Sequence, residues 1–190
     1  MTARLRRRGI LLEVVTLGWN VVGVVVLAVA AVTARSVALA GFGLDSLIEI
    51  AASTVVVWEL SGTDASRQRR ALRLIRYAFA GLAVYLTAQS TWALASAHRP
   101  GHSTVGIGWT AVTAVTMFAL AAGKTATGRA LRDPVLCAEG RVTLVDGLLA
   151  VAVLLGLLLT SMLDWWWADP AAGFVLACYA AVEAWNIRQR

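Results

Sequence analysis

Six long hydrophobic stretches run along the chain, and charged or turn-forming residues separate them. Each stretch is long enough to cross the roughly 30 Å hydrocarbon core of a bilayer as a helix. The breaks fall at Arg35, Ser61–Arg73, Arg99–His102, Gly128–Pro134 and Asp164–Pro170. The predicted spans are 9–33, 36–59, 74–97, 105–123, 138–162 and 169–187. The pattern predicts an all-α membrane protein, a six-transmembrane-helix bundle forming a single transmembrane domain over residues 1–190.

The composition supports lipid as the solvent for most of the chain. Hydrophobic residues make up 59% and charged residues 15% of the sequence, too apolar for one water-soluble core of this length. The net charge of +6 does not indicate nucleic-acid binding, because the arginines are confined to short segments between apolar runs. The basic N-terminus resembles a secretory signal, but its apolar run is too long and contains Glu13 and Asn20, so we interpret it as a retained first helix.

Basic residues predict the orientation. Four arginines precede the first span and two follow the last, and the second and fourth loops are also basic. The fourth loop counts Lys124, Arg129 and Arg132. The opposite side has only Arg35 and Arg99, which predicts that both termini are cytoplasmic. The Trp165–Trp167 cluster falls at the opposite membrane interface, where amphipathic rings accumulate.

The second helix carries two carboxylates near the bilayer midplane. Asp45 and Glu49 are four residues apart and project from one face, about 21 and 15 Å from the cytoplasmic end. Insertion of each acid costs about 2.5–3.5 kcal/mol there. Protonation or a bound cation relieves that cost, which is the requirement of a cation/proton exchanger. The alternatives are a protonated interhelical hydrogen-bonded pair or a salt bridge to Arg141.

Two further helices present polar stripes at matching depth. Asp146 lies about 12 Å along helix five. The polar positions that accompany the acids are Glu13, Thr16 and Asn20 on helix one, Gln89 on helix three, and Glu139 and Thr143 on helix five. Glu13 is a candidate for an access path, whereas Glu139 and Glu183 lie near the cytoplasmic surface, where solvation or pairing with arginine is expected. We therefore expect Asp45, Glu49 and Asp146 to converge as the cation ligands.

Other chemistry-bearing residues give weaker signals. Cys137 and Cys178 are far apart in sequence and are interpreted as small buried packing residues. His98 and His102 flank Arg99-Pro100-Gly101, which favours a solvated loop over a helical metal-binding pair. The sequence contains no phosphate-binding glycine loop and no nucleophile–base pair, so an enzyme is not predicted.

The acidic motifs resemble those of a known family. The segment 36–49, Ser-Val-Ala-Leu-Ala-Gly-Phe-Gly-Leu-Asp-Ser-Leu-Ile-Glu, is similar to the second helix of the cation diffusion facilitator (cation efflux) family. The segment 138–147 resembles its fifth helix, and residues 165–170 follow before helix six. The resemblance covers nearly the whole chain in the family's order and topology.

The resemblance implies an antiporter that exports a divalent metal from the cytoplasm against protons, usually as a homodimer. It places metal ligands at Asp45, Glu49 and Asp146, with the fourth ligand position at Val142, which has no donor atom. Asn20, Thr143 or water would have to complete the shell. The core has no histidine, so the donors are all oxygen and the expected substrate ion is of the Mn²⁺, Mg²⁺, Zn²⁺ or Co²⁺ class.

The family's cytoplasmic C-terminal domain has no counterpart in the 190 residues, so any dimer is expected to form through membrane helices. The predicted partners are metal ions, protons and the lipid bilayer, with no nucleic acid and no cofactor, in a cell membrane such as the bacterial inner membrane. Two alternative functions remain open: transport of a monovalent or small organic cation, and a non-transporting membrane subunit.

Overall fold

The computed structural model describes residues 2–34, 37–61, 65–96, 103–163, 165 and 167–188. The regular structure in these residues is entirely helical, which confirms the predicted fold class. The elements are α1 (Thr2–Ala34), α2 (Val37–Leu60), α3 (Ala65–Ser96), α4 (Thr104–Leu131), α5 (Pro134–Leu163) and α6 (Ala168–Arg188). The first five are long and apolar enough to span a membrane, and the apolar part of α6, Gly173–Ile187, is shorter. The cytoplasmic location of the termini stays a prediction.

Four helices surround a polar interior, and two lie to one side. Helices α1, α2, α5 and α4 pack in a closed ring, each against the next, while α3 and α6 pair with each other beside α2 and α5. The ring is polar inside and apolar outside. Valines such as Val25 and Val32 lie on the exposed surface of α1, while Glu13, Thr16 and Asn20 of the same helix are buried. This arrangement is expected where lipid surrounds the protein.

Helix α4 extends beyond its predicted end and places Lys124 inside the protein. The span was expected to stop at residue 123, with Lys124 in a basic loop, but the helix continues to Leu131. It ends at Arg132, which adopts a left-handed conformation (φ 55°) and donates its backbone N–H to the carbonyls of Gly128 and Arg129. The assignment of Lys124 to a loop was wrong, because the segment 124–131 has no proline and its single glycine does not break the helix.

A two-residue connection joins α4 to α5 and fixes their pairing. Asp133 caps α5: its Oδ1 accepts the backbone N–H groups of Val135 (2.9 Å) and Leu136 (3.2 Å). Pro134 occupies the first helical position, where its missing N–H is not needed. Gly128 and Gly140 lie in the contact between α4 and α5, and a Cβ on Gly140 would lie 3.3 Å from Cβ of Lys124. Small residues thus bring Lys124 next to α5.

We expect Gly128→Ala to lower thermal stability. A Cβ there would lie 2.9 Å from the backbone nitrogen of Cys137 and 3.3 Å from the carbonyl oxygen of Asp133. These backbone atoms can move away only if the connection between α4 and α5 opens. The substitution should therefore lower the free energy of unfolding by about 1–3 kcal/mol. The measurement is the melting temperature of the purified protein in detergent. Gly108→Ala, on the same helix with nothing within 4 Å of the added Cβ, should be neutral or stabilising. Equal shifts for the two variants would contradict this packing.

Several peripheral predictions have mixed outcomes. Cys137 is half-buried, whereas Cys178 is exposed on α6, so its expected burial was wrong. The reason is that a lipid-facing surface is as apolar as a core, so apolar character alone does not indicate burial. Trp165 and Trp167 are exposed and stacked, with ring centroids 5.7 Å apart. Trp166, His98 and His102 lie outside the described residues.

Candidate cation site

The ring of helices encloses a continuous group of buried acidic and polar side chains. Its acids are on three helices, and all are at most 3% exposed. They are Glu13 on α1, Asp45 and Glu49 on α2, and Glu139 and Asp146 on α5. Each helix contributes polar residues at three- and four-residue spacing, so one face of each carries them all. The polar stripes predicted on α1, α2 and α5 therefore do turn inward.

Asp45 and Asp146 lie side by side between α2 and α5. Their carboxyl groups are close enough to interact electrostatically with each other. Both oxygens of Asp146 and Oδ2 of Asp45 are buried and receive no hydrogen bond from the described residues. Two facing carboxylates repel each other when both are ionised. The pair therefore requires either a shared proton or a cation.

Glu49 lies one helical turn from Asp45 and contacts Thr143. The Thr143 hydroxyl donates to Oε1 of Glu49 at 2.6 Å, across the α2–α5 contact. Oε2 of Glu49 is buried and has no hydrogen-bond partner among the described residues. Glu49 is thus held on one oxygen, with the other available for a ligand. Thr143, expected as an accessory group, is fully buried in this position.

Lys124 is the charged residue that the sequence interpretation placed outside the site. Its side chain is fully buried, and Nζ lies 2.6 and 2.7 Å from the two carboxylate oxygens of Glu139. Nζ also lies 3.0 Å from Oε2 of Glu13 and 3.9 Å from Oε1 of Glu49. It donates a hydrogen bond to the Thr143 hydroxyl at 2.9 Å. One ammonium therefore contacts three of the five buried acids.

Glu139 is part of this group, and its expected solvation or pairing with arginine was wrong. It is fully buried, paired with Lys124, and accepts a 2.8 Å hydrogen bond from the Ser53 hydroxyl. The extension of α4 accounts for the difference, because it supplies a buried cation at the level of Glu139. Glu183 is paired with Arg141 at 3.0 Å, one of the two outcomes expected for it. Arg141 therefore engages Glu183, and the alternative of a salt bridge from Arg141 to the α2 acids is not what is found.

The remaining accessory residues have different surroundings. Asn20 is buried and donates its amide to the carbonyl oxygen of Thr16 at 3.0 Å. One residue before it, Trp19 donates to Thr113 of α4 and stacks on Trp109 at 5.0 Å. Gln89 is half-buried, and its amide fills the space left by the missing side chain of Gly41 at the α2–α3 contact. Gln89 thus packs between helices.

The group holds more negative charge than its protein cation can neutralise. If all five acids were ionised, Lys124 would neutralise one, leaving four charges in the buried interior of the bundle. Each uncompensated charge there costs several kcal/mol. Protons and bound cations are the available compensation, and the two are mutually exclusive at a given carboxylate. Within the described residues, no three Asp, Glu, His or Cys side chains are arranged as a ready-made metal site.

Comparison with known proteins identifies the architecture. The family model described as the cation efflux transmembrane domain matches residues 74–188, more than half of the chain. The matched range includes Lys124, Glu139, Thr143 and Asp146 and begins beyond α2. A search of curated proteins finds no significantly similar sequence.

Proposed function

The chain belongs to the cation efflux family, so it is a multi-pass membrane protein of a family of cation transporters, and we propose that it carries a divalent metal ion. The proposed direction is out of the cytoplasm, in exchange for protons and by alternating access. Asp45, Glu49 and Asp146 are the proposed ligands. Metal entering from the cytoplasm displaces protons from these carboxyl groups, and protons displace the metal when the site opens to the other side.

The contact between Asp45 and Asp146 carries this proposal. The two buried carboxyl groups lie next to each other, and three of their four oxygens, Oδ2 of Asp45 and both of Asp146, lack donors among the described residues. The two carboxylates together would balance the charge of one divalent cation bound between them. When no cation is bound, protons would neutralise the carboxylates instead. Such a pair accepts either a metal or protons, which is the exchange that an antiporter performs.

Glu49 is the proposed third ligand of the shell. It lies one turn from Asp45 on the same face of α2, and its Oε2 has no hydrogen-bond partner among the described residues. Recruitment of Glu49 would weaken its contact with Thr143, so the metal-bound arrangement differs from the one described. All donors in this set are oxygen atoms, and Val142 offers none, which favours harder ions such as Mn²⁺ or Mg²⁺ over ions that need nitrogen or sulfur.

The finer assignments belong to the same proposal. Export from the cytoplasm is proposed from membership of the cation efflux family, and the predicted orientation of the basic loops says which side is cytoplasmic. Assembly is proposed as a homodimer through membrane helices, in a cell membrane such as the bacterial inner membrane.

The test is transport by the purified protein in proteoliposomes under an imposed pH gradient. Zn²⁺, Mn²⁺, Co²⁺ and Mg²⁺ are offered separately, with K⁺ and a small organic cation as comparisons, and a pH dye reports protons inside the vesicles. We expect divalent flux coupled to opposite proton movement. Flux of K⁺ or of the organic cation without a divalent response would instead support the monovalent alternative. No flux of any ion would support a non-transporting subunit.

A further inference from the structure

Lys124 is surrounded as a bound cation would be. Its Nζ is in contact with carboxylates from three different helices, namely Glu13, Glu49 and Glu139, and with one hydroxyl. The side chain is fully buried, as are Glu13 and Glu139. A buried ammonium is costly unless several acids compensate it, and this one is surrounded by them. The oxygen atoms around Nζ therefore define a position that a cation can occupy.

The acids around Nζ have bonding capacity that the ammonium does not use. Oε1 of Glu13 and Oε2 of Glu49 are buried without a hydrogen-bond partner among the described residues. Three carboxylates also carry more negative charge than one ammonium neutralises. Removal of the ammonium would leave the carboxylates of Glu13, Glu49 and Glu139 around an unoccupied, strongly negative position.

Glu49 belongs to both parts of the site. Its Oε1 faces Lys124 at 3.9 Å and accepts from Thr143, while it lies one turn from Asp45 on α2. The ammonium and a metal at Asp45 and Asp146 therefore attract the same carboxylate.

We propose that Glu13, Glu49 and Glu139 form a second cation site, that the ammonium of Lys124 occupies it as a tethered cation, and that Lys124 competes with the transported cation for Glu49. This proposal rests on the proposed function, because it needs a cation to bind at Asp45 and Asp146. The tethered ammonium cannot leave, so the second site holds no exchangeable metal while Lys124 is present. Its attraction for Glu49 weakens metal binding, and its pairing with Glu139 limits that attraction.

Two substitutions at one ion pair then have opposite effects. Lys124→Met removes the competitor, so metal should bind at Asp45 and Asp146 at least about tenfold more tightly, since a nearby like charge is lost. It also empties the second site, so a second metal ion should bind. Glu139→Gln removes the closest partner of Lys124 and leaves the ammonium to Glu13 and Glu49. Metal binding should then weaken about threefold to tenfold with unchanged stoichiometry.

The experiment is titration of the purified full chain with Mn²⁺ by calorimetry, with bound metal counted by elemental analysis after desalting. We expect one ion for the unmodified protein, two for Lys124→Met and one for Glu139→Gln. Arg141→Met is the matched control, because it removes a cation from the separate pair with Glu183. It should change neither the stoichiometry nor the dissociation constant by more than about twofold.

The two variants separate competition from a structural role. Damage to the fold would weaken binding in both, so shifts of the same sign would overturn the proposal, as would a single ion bound to Lys124→Met. If Lys124→Met does not fold, the double variant Lys124→Met with Glu139→Gln replaces the ion pair by neutral groups. It should bind Mn²⁺ more tightly than Glu139→Gln alone, and equal or weaker binding would overturn the proposal.

The same titration keeps the two proposals apart. If the unmodified protein binds no Mn²⁺ or other divalent ion, the proposed function fails. A gain of one ion in Lys124→Met would then still support the second site, although not the competition. Normal binding by the unmodified protein together with no gain and no tightening in Lys124→Met would overturn the second site alone.

Discussion

Replacing Asp45 by Asn will reduce divalent-cation transport at least about a hundredfold. Asn keeps the size of the side chain but loses the charge, so Asp146 would face an amide where the metal needs a second carboxylate. Loss of the carboxylate from a buried pair of opposite charges, here the carboxylate and the metal ion, costs about 3 kcal/mol or more. That is roughly a hundredfold in an equilibrium constant. Asp146→Asn removes the other half of the pair and should have an effect of the same size.

The measurement is initial metal flux into proteoliposomes under a fixed pH gradient, normalised to folded protein. Glu183→Gln is the control: Glu183 is also an acid of a membrane helix, but it pairs with Arg141, and its loss should leave flux within about threefold. Unchanged flux in Asp45→Asn would remove Asp45 from the transport mechanism. Equal losses in Asp45→Asn and Glu183→Gln would point to general damage to the bundle.

The inward faces of the helices could be predicted from the sequence because they follow from spacing and solvent alone. Asp45 and Glu49 share a face at four-residue spacing, and Thr143 and Asp146 share one at three. An acidic side chain at midplane depth is expected to face the interior of the bundle, because its exposure to the hydrocarbon of the bilayer is costly. The burial of all four residues agrees with that argument. The family model independently supports the bundle from α3 to α6.

The pairing of charges across helices could not be predicted in the same way. Lys124 lies at the edge of an apolar run. The positive-inside rule therefore counts it as a loop charge. Whether it lies in a loop or in the protein interior depends on where α4 ends. The spacing of residues along α4 did indicate that Lys124 is buried. It lies on the same helix face as three other buried residues, Thr110, Thr113 and Met117. The contacts of Lys124 with Glu13 and Glu139 depend on the packing of α1 and α5 against α4, which no local pattern specifies.

The orientation of the Glu49 side chain could not be predicted from the sequence either. It was expected to converge with Asp45 and Asp146, and its backbone position allows this. Its Oε1, however, accepts from Thr143 and faces Lys124. The orientation of this side chain depends on its contacts with Thr143 on α5 and Lys124 on α4. The spacing of residues within α2 gives no information about those contacts. The role of Glu49 as a metal ligand stays a prediction.

Replacing Val142 by Asp will make the stability of the protein depend on divalent metal. Val142 is buried on α5, four residues before Asp146 and so on nearly the same face. A carboxylate there lacks compensation in the metal-free protein and should destabilise it by about 2.5–3.5 kcal/mol. A bound divalent ion would gain a fourth carboxylate ligand, so its dissociation constant should fall at least about tenfold. Ligand binding to the folded state then restores stability.

The measurement is the melting temperature in detergent with and without Mn²⁺, compared with the unmodified protein. Val145→Asp is the matched control, because Val145 is also buried on α5 but lies about 100° around the helix from Asp146. It should lose comparable stability and regain no more with Mn²⁺ than the unmodified protein does. If Mn²⁺ stabilises the Val142 and Val145 variants equally, Val142 does not face the metal, and the fourth ligand must come from elsewhere in the site.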